Sequence, residues 1–354
     1  MSSLTHSSGS NAPIDIVYLW VDGSDPGWRN KRQRAAAAHS RLHDAAAMAM
    51  YGNVEGRFRD NDELRYSLRA LEQYFPHHGH VYLVTDGQTP AWLQTSTRLT
   101  VVDHRDLIPA DRLPVFDSGN IESYIHRIPG LSERFFYCND DVFFGAPVQV
   151  DDWFWERGMY VAWSDDPPIT GAALQPDATS LENASRLSRQ WLGQRPNASS
   201  GVYSHTPRTF AHSPRPLLKS LLYRLEEEAP DLFAGVRSTV FRSWATPTIV
   251  SDFVLRWALR QDVARIRDYA HLYVTTGDSD QAAQLQALRA AHGVLDFFCI
   301  NDTTDDADGS DPRLANVRST LQAMFPVASS MERDAAAGRA SSGRVAHAAP
   351  AQHA

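Results

Sequence analysis

Apolar residues fall into short β-prone runs separated by helical periodicities, and the runs end on acids. Ile14–Val21 (Ile-Asp-Ile-Val-Tyr-Leu-Trp-Val) reads as a buried strand and stops at the turn Asp22-Gly23-Ser24-Asp25-Pro26. Val81–Thr85 stops at Asp86-Gly87, Leu99–Val102 at Asp103-His104, Phe135–Cys138 at Asn139-Asp140-Asp141, and Leu295–Ile300 at Asn301-Asp302. Between the first two runs, a basic and then Ala-rich stretch from Trp28 to about Met50 predicts a helix that Gly52–Gly56 breaks. A second helix follows, with Asn61 or Asp62 as candidate cap and Leu64, Leu68, Leu71 and Phe75 on one face. Strands alternating with helices predict an α/β fold with a parallel or mostly parallel sheet of βαβ units.

The second half reads as more helical. Helices are predicted over Asn183–Leu192, Pro214–Glu228 and Thr248–Arg260. The middle one has Ser213 at the cap, Pro214 at the first position, and Leu217, Leu218, Leu221, Leu222 and Leu225 inside. Both ends are small and polar with almost no large apolar residues and are expected to be disordered, over 1–13 and 327–354. The remainder divides into a main unit, 14–302, with an α/β half (14–160) and a more helical half (161–302), followed by a helical segment, 303–326.

Composition narrows the function. The chain has 354 residues, 43% hydrophobic and 21% charged, which excludes a largely disordered protein. Its net charge of -8 excludes a global basic footprint for nucleic acid. The two cysteines, Cys138 and Cys299, have no zinc-motif spacing and read as reduced thiols. There is no apolar run of membrane-spanning length, and the Ser-rich start lacks the basic and apolar regions of a secretory signal. The expected compartment is the cytoplasm, with peripheral attachment to the inner face of the plasma membrane as a variant. No Gly-rich dinucleotide fingerprint, Walker A loop or Gly-x-Ser-x-Gly elbow occurs. Asn183-Ala-Ser and Asn197-Ala-Ser match glycosylation sequons by pattern only.

The acids at strand ends are the main chemical signal. In open α/β sheets ligands bind outside the carboxyl ends of the strands. Carboxylates gathered there repel one another unless a cation neutralises them, and hard oxygen ligands favour Mg²⁺ or Mn²⁺ shared with substrate phosphates. The adjacent pair Asp140-Asp141 carries this best; for any single Asp, an ordinary turn residue is an equal reading. His212, just before the helix predicted from Pro214, could touch a phosphate or move a proton, or be a surface residue. Glu122 and His126 are four apart and would share a helical face; with Arg127 they read as an ion pair or a substrate clamp. Arg242 suits phosphate recognition.

Several blocks resemble a known family. Ile14-Asp-Ile-Val-Tyr-Leu-Trp-Val-Asp22-Gly-Ser-Asp25-Pro resembles the first conserved block of the Stealth proteins. Arg57-Phe-Arg-Asp-Asn-Asp-Glu-Leu-Arg-Tyr-Ser-Leu-Arg69 resembles the start of their second block. That block continues through Val81–Gln88, Val102–Asp106, Phe116–Glu122 and His126–Leu131, and closes with Phe136-Tyr-Cys-Asn-Asp-Asp-Val-Phe143. His212-Ser-Pro214 and Phe241-Arg242-Ser243 resemble the third block, and Cys299-Ile-Asn-Asp302 the fourth. After Phe241-Arg242-Ser243 the next acid is Asp252, and which acid supports Arg242 is open.

The resemblance implies a Rossmann-like, nucleotide-sugar-transferase-like fold with helices on both faces of the sheet. It also implies transfer of a hexose 1-phosphate, GlcNAc 1-phosphate by family analogy, from a UDP-sugar to a glycan hydroxyl, with UMP released, in capsular or exopolysaccharide synthesis. The implied partners are the donor, a glycan acceptor and peripherally a polysaccharide export complex, with no nucleic acid. Asp140, Asp141 and Asp302 are then expected to hold Mg²⁺ or Mn²⁺. Asp22, Gly23 and Asp25 would contact the UDP part, and Arg59, Asp62 and Arg65 the donor pocket, with Asp86 and Asn139 added to the substrate-binding set. Glu122, His126 and Arg127 would line the sugar or acceptor side. His212 is the expected base, with Asp22 as second choice, and Arg242 would steady the phosphate. A metal-dependent glycosyltransferase releasing UDP, or a non-catalytic sugar-nucleotide or glycan binder, is the alternative.

Overall fold

A computed structural model describes residues 12–42, 48–195 and 204–333. The apolar runs of the first half form β1 (Asp15–Leu19), β2 (Val81–Thr85), β3 (Leu99–Asp103) and β4 (Arg134–Asn139). They pair in parallel in the order β3-β2-β1-β4, with Ile16 opposite Val81, Val81 opposite Leu99, and Leu19 opposite Asn139. Every residue of β1 and β2 is buried, as expected where both faces of a parallel sheet are covered. The helices of this half are α1 (Pro26–Leu42), α2 (Glu63–Tyr74), α3 (His104–Leu107) and α4 (Ser118–Glu122).

The strand order positions the site. The chain moves outward from β1 to β2 to β3, then crosses to the other side of β1 to lay down β4. Connections therefore diverge from a crevice at the carboxyl ends of β1 and β4, the place where open α/β sheets bind ligands. Trp20–Asp22 leave β1 there, and Asn139–Asp141 leave β4 directly opposite.

Past Asp141 the chain turns into β5 (Val142–Phe144), which belongs to a second sheet. Then follow β6 (Phe154–Trp155), β7 (Gly158–Val161), α5 (Ser180–Gly193), β8 (Arg215–Leu218), α6 (Lys219–Glu228), α7 (Pro230–Val236) and α8 (Val254–Arg260). The last elements are β9 (Ala264–Ile266), β10 (His271–Thr275), α9 (Gln281–Ala290), β11 (Phe297–Asn301) and α10 (Pro312–Met324). The second sheet has the order β10-β11-β5, and the third β6-β7-β9. Aromatic rings weld the first two sheets together where Phe136 of β4 meets Phe144 of β5 edge-on at 5.3 Å, and within the second sheet Phe143 stacks on its cross-strand partner Phe298 at 4.6 Å. Burying each such side chain stabilises the fold by about 1.5–3 kcal/mol.

Three local expectations change. The helix predicted from Pro214 starts only at Lys219; Arg215–Leu218 is instead an edge strand antiparallel to β4. The reason is legible afterwards: Ser213 and Arg215 each precede a proline, which drives them to extended backbone, and Pro216 lacks an N–H and so suits an edge. Secondly, the stretch from Ile121 to Ile128 is not one helix. It breaks after Glu122 and resumes as a 3₁₀ turn at Ile125–Arg127, so Glu122 and His126 part company. Thirdly, the expected tail from Val327 is packed as far as Arg333. Glu332 pairs with Arg65 and Arg69, and Arg333 donates to the Leu93 carbonyl. The N-terminal expectation falls mostly outside the described residues, as does Asn197. The Asn183 amide is buried and bonded to the Gln175 backbone, so that sequon is closed to modification. Among the described residues no helix is long and apolar enough to cross a membrane.

Candidate active site

Two loops meet over the crevice. Asp22 is locked to the β2 side by Gln88, whose amide accepts from the Asp22 N–H at 3.0 Å and donates to its carbonyl at 2.9 Å. Asp22 Oδ1 accepts from the Ser24 N–H and hydroxyl. Gly23 donates to the Phe58 carbonyl at 2.8 Å, and a Cβ on Gly23 would lie 2.0 Å from that oxygen. Glycine therefore lets the 56–60 loop lie flat on the β1 turn. That loop delivers Asp60, which accepts from Trp20 Nε1 at 3.2 Å, and Glu63, buried at the start of α2 and bonded to Asn61.

Asp140 and Asp141 thereby face two further acids, and among the described residues none of the four is paired with a lysine or arginine. Burial first, then Asp141, Glu63 and Asp60, push the Asp140 carboxyl well above the ordinary range. Burial raises Asp141 to about 6. Asp60 rises to about 6 and Glu63 to about 8, by burial and then by the neighbouring acids. Asp141 Oδ2 accepts weakly from Asn301 at 3.3 Å and Cys299 at 3.5 Å, while its Oδ1 is buried with no partner among the described residues. An orphaned carboxylate oxygen beside uncompensated acids is the condition a hard cation would relieve. Among the described residues no three His, Cys, Asp or Glu side chains gather closely enough to hold a metal alone. One or two carboxylates, completed by water and substrate phosphate, is the coordination Mg²⁺ ordinarily takes.

A cationic group lies beyond β4. Glu122 is buried and touches the Tyr137 hydroxyl at 2.9 Å, which in turn lies 2.7 Å from Asn139 Oδ1. Around it stand Arg57, Arg215 and Arg242, whose fields act on Glu122 or on one another. Arg57 is pushed down to about 9, by burial and then by Arg242. Arg242 donates to Ser118 Oγ, and its Nε lies 3.6 Å from Asp117, so Asp117 supports it. Asp252 is committed elsewhere, to Arg256 and Ser188. His212 sits on the approach to β8, its ring 5.2 Å from that of Tyr273. Burial, then Arg215 and Arg242, lower it to about 4, so its imidazole is neutral at physiological pH. The placement at a helix N-terminus is not realised; two arginines supply the positive field instead.

Other expected site residues are held apart by structural partners. Asp302 is not gathered with Asp140 and Asp141: its Oδ2 accepts from Arg59 at 2.5 Å and its Oδ1 from Thr304, leaving no carboxylate face for a metal. Arg59 is correspondingly spent on Asp302, Thr304 and the Ala307 carbonyl. Asp25 caps α1 through the Trp28 N–H at 2.6 Å. Asp62 enters α2 with φ +68°, beside the acids but without a capping bond. Arg65 pairs with Glu332 and Asp86 with Lys31 at 2.7 Å. His126 and Arg127 both turn to Glu226, which Arg237 also binds; this half-buried knot ties the 3₁₀ turn to α6 and the end of α7 rather than to the crevice.

Asp60, Glu63, Asp117, Arg57 and Arg215 complete the constellation; of these the sequence points only to Arg57 and Asp60, which precede the Leu64 helix and read equally as a surface ion pair or a substrate clamp. Asp60 and Glu63 carry one available signal, since both lie in the Arg57–Arg69 block beside residues that were chosen.

Comparison with known proteins places these features in one family. Three signatures match: Stealth protein conserved region 1 over residues 12–40, conserved region 2 over 57–162, and conserved region 4 over 287–340. Two exopolysaccharide phosphotransferases of Streptomyces coelicolor are similar over most of the chain. One is 38% identical across 92% of this chain and 53% of its own length; the other is 35% identical across 91% and 33%. Exopolysaccharide phosphotransferase CpsY of Mycobacterium tuberculosis is 34% identical across 94% of this chain and 60% of its own. The chain thus spans between a third and three fifths of the length of these curated relatives.

Proposed function

The chain belongs to the Stealth family, and from that premise we propose that it is a phosphotransferase of polysaccharide synthesis, moving a hexose 1-phosphate from a UDP-sugar to a glycan hydroxyl. One observation carries the reading: uncompensated carboxylates crowd the carboxyl end of β4, and a group of buried arginines with a neutral imidazole beside it lies just beyond that strand. Phosphoryl transfer needs little covalent help from a protein; it needs positioning and charge neutralisation. The relatives' names agree with the class of reaction.

The roles follow from the geometry. Asp140 and Asp141 would hold a divalent cation, Mg²⁺ or Mn²⁺, which neutralises diphosphate charge when bound. Asp22 and Gly23 shape the floor next to it. Arg57 and Arg242 face the donor's phosphates from the other side, Arg242 held in place by Asp117 and Ser118. His212 takes the proton of the acceptor hydroxyl on a ring nitrogen as that oxygen attacks the sugar-bearing phosphorus. A bond from acceptor oxygen to phosphorus forms, the bond to the bridging oxygen breaks, and UMP leaves with the electron pair. An imidazole near pKa 4 is fully available but weak. Diphosphate arriving between Arg215 and Arg242 offsets their charge and raises His212 toward working pH, so the base strengthens once the donor is seated.

The decisive measurement is the nucleotide product. The protein incubated with UDP-sugars, Mg²⁺ and candidate glycans should release UMP and add phosphate to the glycan. UDP as the product would reassign it to glycosyl transfer. His212→Ala should lose at least about 100-fold in turnover, and full activity in that variant would remove His212 from the mechanism.

A further inference from the structure

Five described arginines are less than a tenth exposed: Arg32, Arg69, Arg186, Arg215 and Arg256. Four have their guanidinium groups bonded. Arg32 binds Glu55 at 2.6 Å, and Arg69 binds Glu332 and the Phe325 carbonyl. Arg186 binds Asn183, Gln175 and the Thr170 carbonyl, and Arg256 binds Asp252, Ser185 and two backbone carbonyls. Arg215 is 5% exposed, and its side chain has no hydrogen bond or ion pair among the described residues. A buried guanidinium with its five N–H groups unspent is costly unless a partner arrives.

Its position says what that partner is. Arg215 opens β8, directly opposite Tyr137 on β4, and His212 lies three residues before it. The fields of Glu122, Tyr137 and Cys299 all reach it, and Cys299 donates to Asp141. Arg215 thus shares its surroundings with Glu122 and His212, on both of which Arg242 also acts. We propose that Arg215 is a ligand for the phosphoryl group in transit, its fork of N–H donors kept open for two oxygens of a diphosphate. Guanidinium geometry suits this better than ammonium, because two parallel N–H groups match two phosphate oxygens. Glu122, which shares its surroundings with Arg215, keeps the charge tolerable while the site is empty of substrate. The inference rests on the phosphotransferase reading for what the anion is, but not for the existence of an anion site.

The test uses the full chain with Arg215→Met and Arg215→Lys. Inorganic pyrophosphate with Mg²⁺ is the binding probe, read by calorimetry, alongside UMP release and thermal melting. Arg215→Met should weaken pyrophosphate binding at least about 10-fold and lower turnover about 100-fold, while the melting temperature holds or rises, because a lone buried charge is gone. Arg215→Lys should recover part of the affinity and less of the turnover. A further readout separates phosphate binding from mere packing. The groups facing His212 are Arg215, Arg242, Asp166 and Tyr273, so loss of Arg215 should move the acid limb of the pH–rate profile upward. Unchanged pyrophosphate affinity in Arg215→Met, or no pyrophosphate binding by the wild type, overturns the inference. So does a melting temperature that falls in Met and is restored in Lys with affinity unaffected. If the wild type binds pyrophosphate through Arg215 yet releases no UMP from any UDP-sugar, the proposed function fails and the anion site stands.

Discussion

Two buried arginines, in the C-terminal clasp and in the crevice, are treated in opposite ways. In the clasp, Glu332 accepts from Arg69 at 2.6 and 2.9 Å, from Arg65 at 2.5 Å and from the Ser329 N–H at 3.0 Å, and Arg69 also donates to the Phe325 carbonyl. Charge and hydrogen-bonding capacity are nearly saturated, and the result is a fastening of residues 329–333 onto α2. Among the described residues of the crevice, the Arg215 side chain has nothing to bond, Asp141 Oδ1 is orphaned, and Asp60, Glu63 and Asp140 crowd together with no lysine or arginine paired to them. Saturated charges hold a fold; unsaturated ones are stability given up for a ligand. The same residue types are therefore distinguished by what surrounds them, not by their identity or burial.

The largest effect that would sharpen this contrast is on turnover. Asp141→Ala should cut UMP release by about 1,000-fold, with a urea midpoint equal to the wild type or higher; a collapsed midpoint would erase the distinction between the regions. Next comes Glu332→Ala. Breaking the buried clasp should cost about 3 kcal/mol of unfolding free energy, measured by urea denaturation, while the folded enzyme keeps turnover within a few-fold. Smaller still is Asp302→Asn, which removes the Arg59 anchor. It should cost about 2 kcal/mol and leave the Mg²⁺ requirement of the reaction unchanged. A lost Mg²⁺ response would put Asp302 back among the metal ligands.

Sequence patterns carried the parallel sheet well, because β1, β2, β3 and β4 are each apolar runs bounded by turns and are decided locally. The acids at the ends of β1 and β4 were legible for the same reason, since a strand end is a sequence feature and their convergence follows from the sheet. What was not legible depends on pairing at long range. Asp302 ends an apolar run just as Asp141 does, yet β11 lies in the second sheet, antiparallel to β5, and Arg59 claims the carboxylate. Asp117 supports Arg242 from more than a hundred residues away, a choice that the sequence leaves open because the next acid along the chain is Asp252. Arg215 hid inside a stretch whose leucines imitate a helix; the two prolines that make it a strand were read as a helix start.

One further effect sets the two regions against each other by sign. Glu332 is held down to about 2 against an ordinary 4.5: burial opposes ionisation, but bonds from Arg69, the Ser329 backbone and Arg65 outweigh it. Its contribution is present above 4.5 and is lost as pH falls toward 2, because the unfolded chain takes up a proton that the folded one resists. Glu63 runs the other way. Burial and Asp60 raise it to about 8, so the folded protein keeps a proton that the unfolded chain releases near 4.5. Stability attached to Glu63 is therefore full below 4.5 and gone above 8. Urea midpoints for Glu63→Gln and the wild type should then draw relatively further apart in the variant's favour between pH 5 and 8, whereas Glu332→Gln should lose its disadvantage only toward pH 2. Added Mg²⁺ should narrow the Glu63 difference at the alkaline end, since a bound cation offsets the field that raises that carboxyl, and should leave the Glu332 difference untouched. A Mg²⁺ response of equal size at both positions would mean that the crevice has no special claim on the cation.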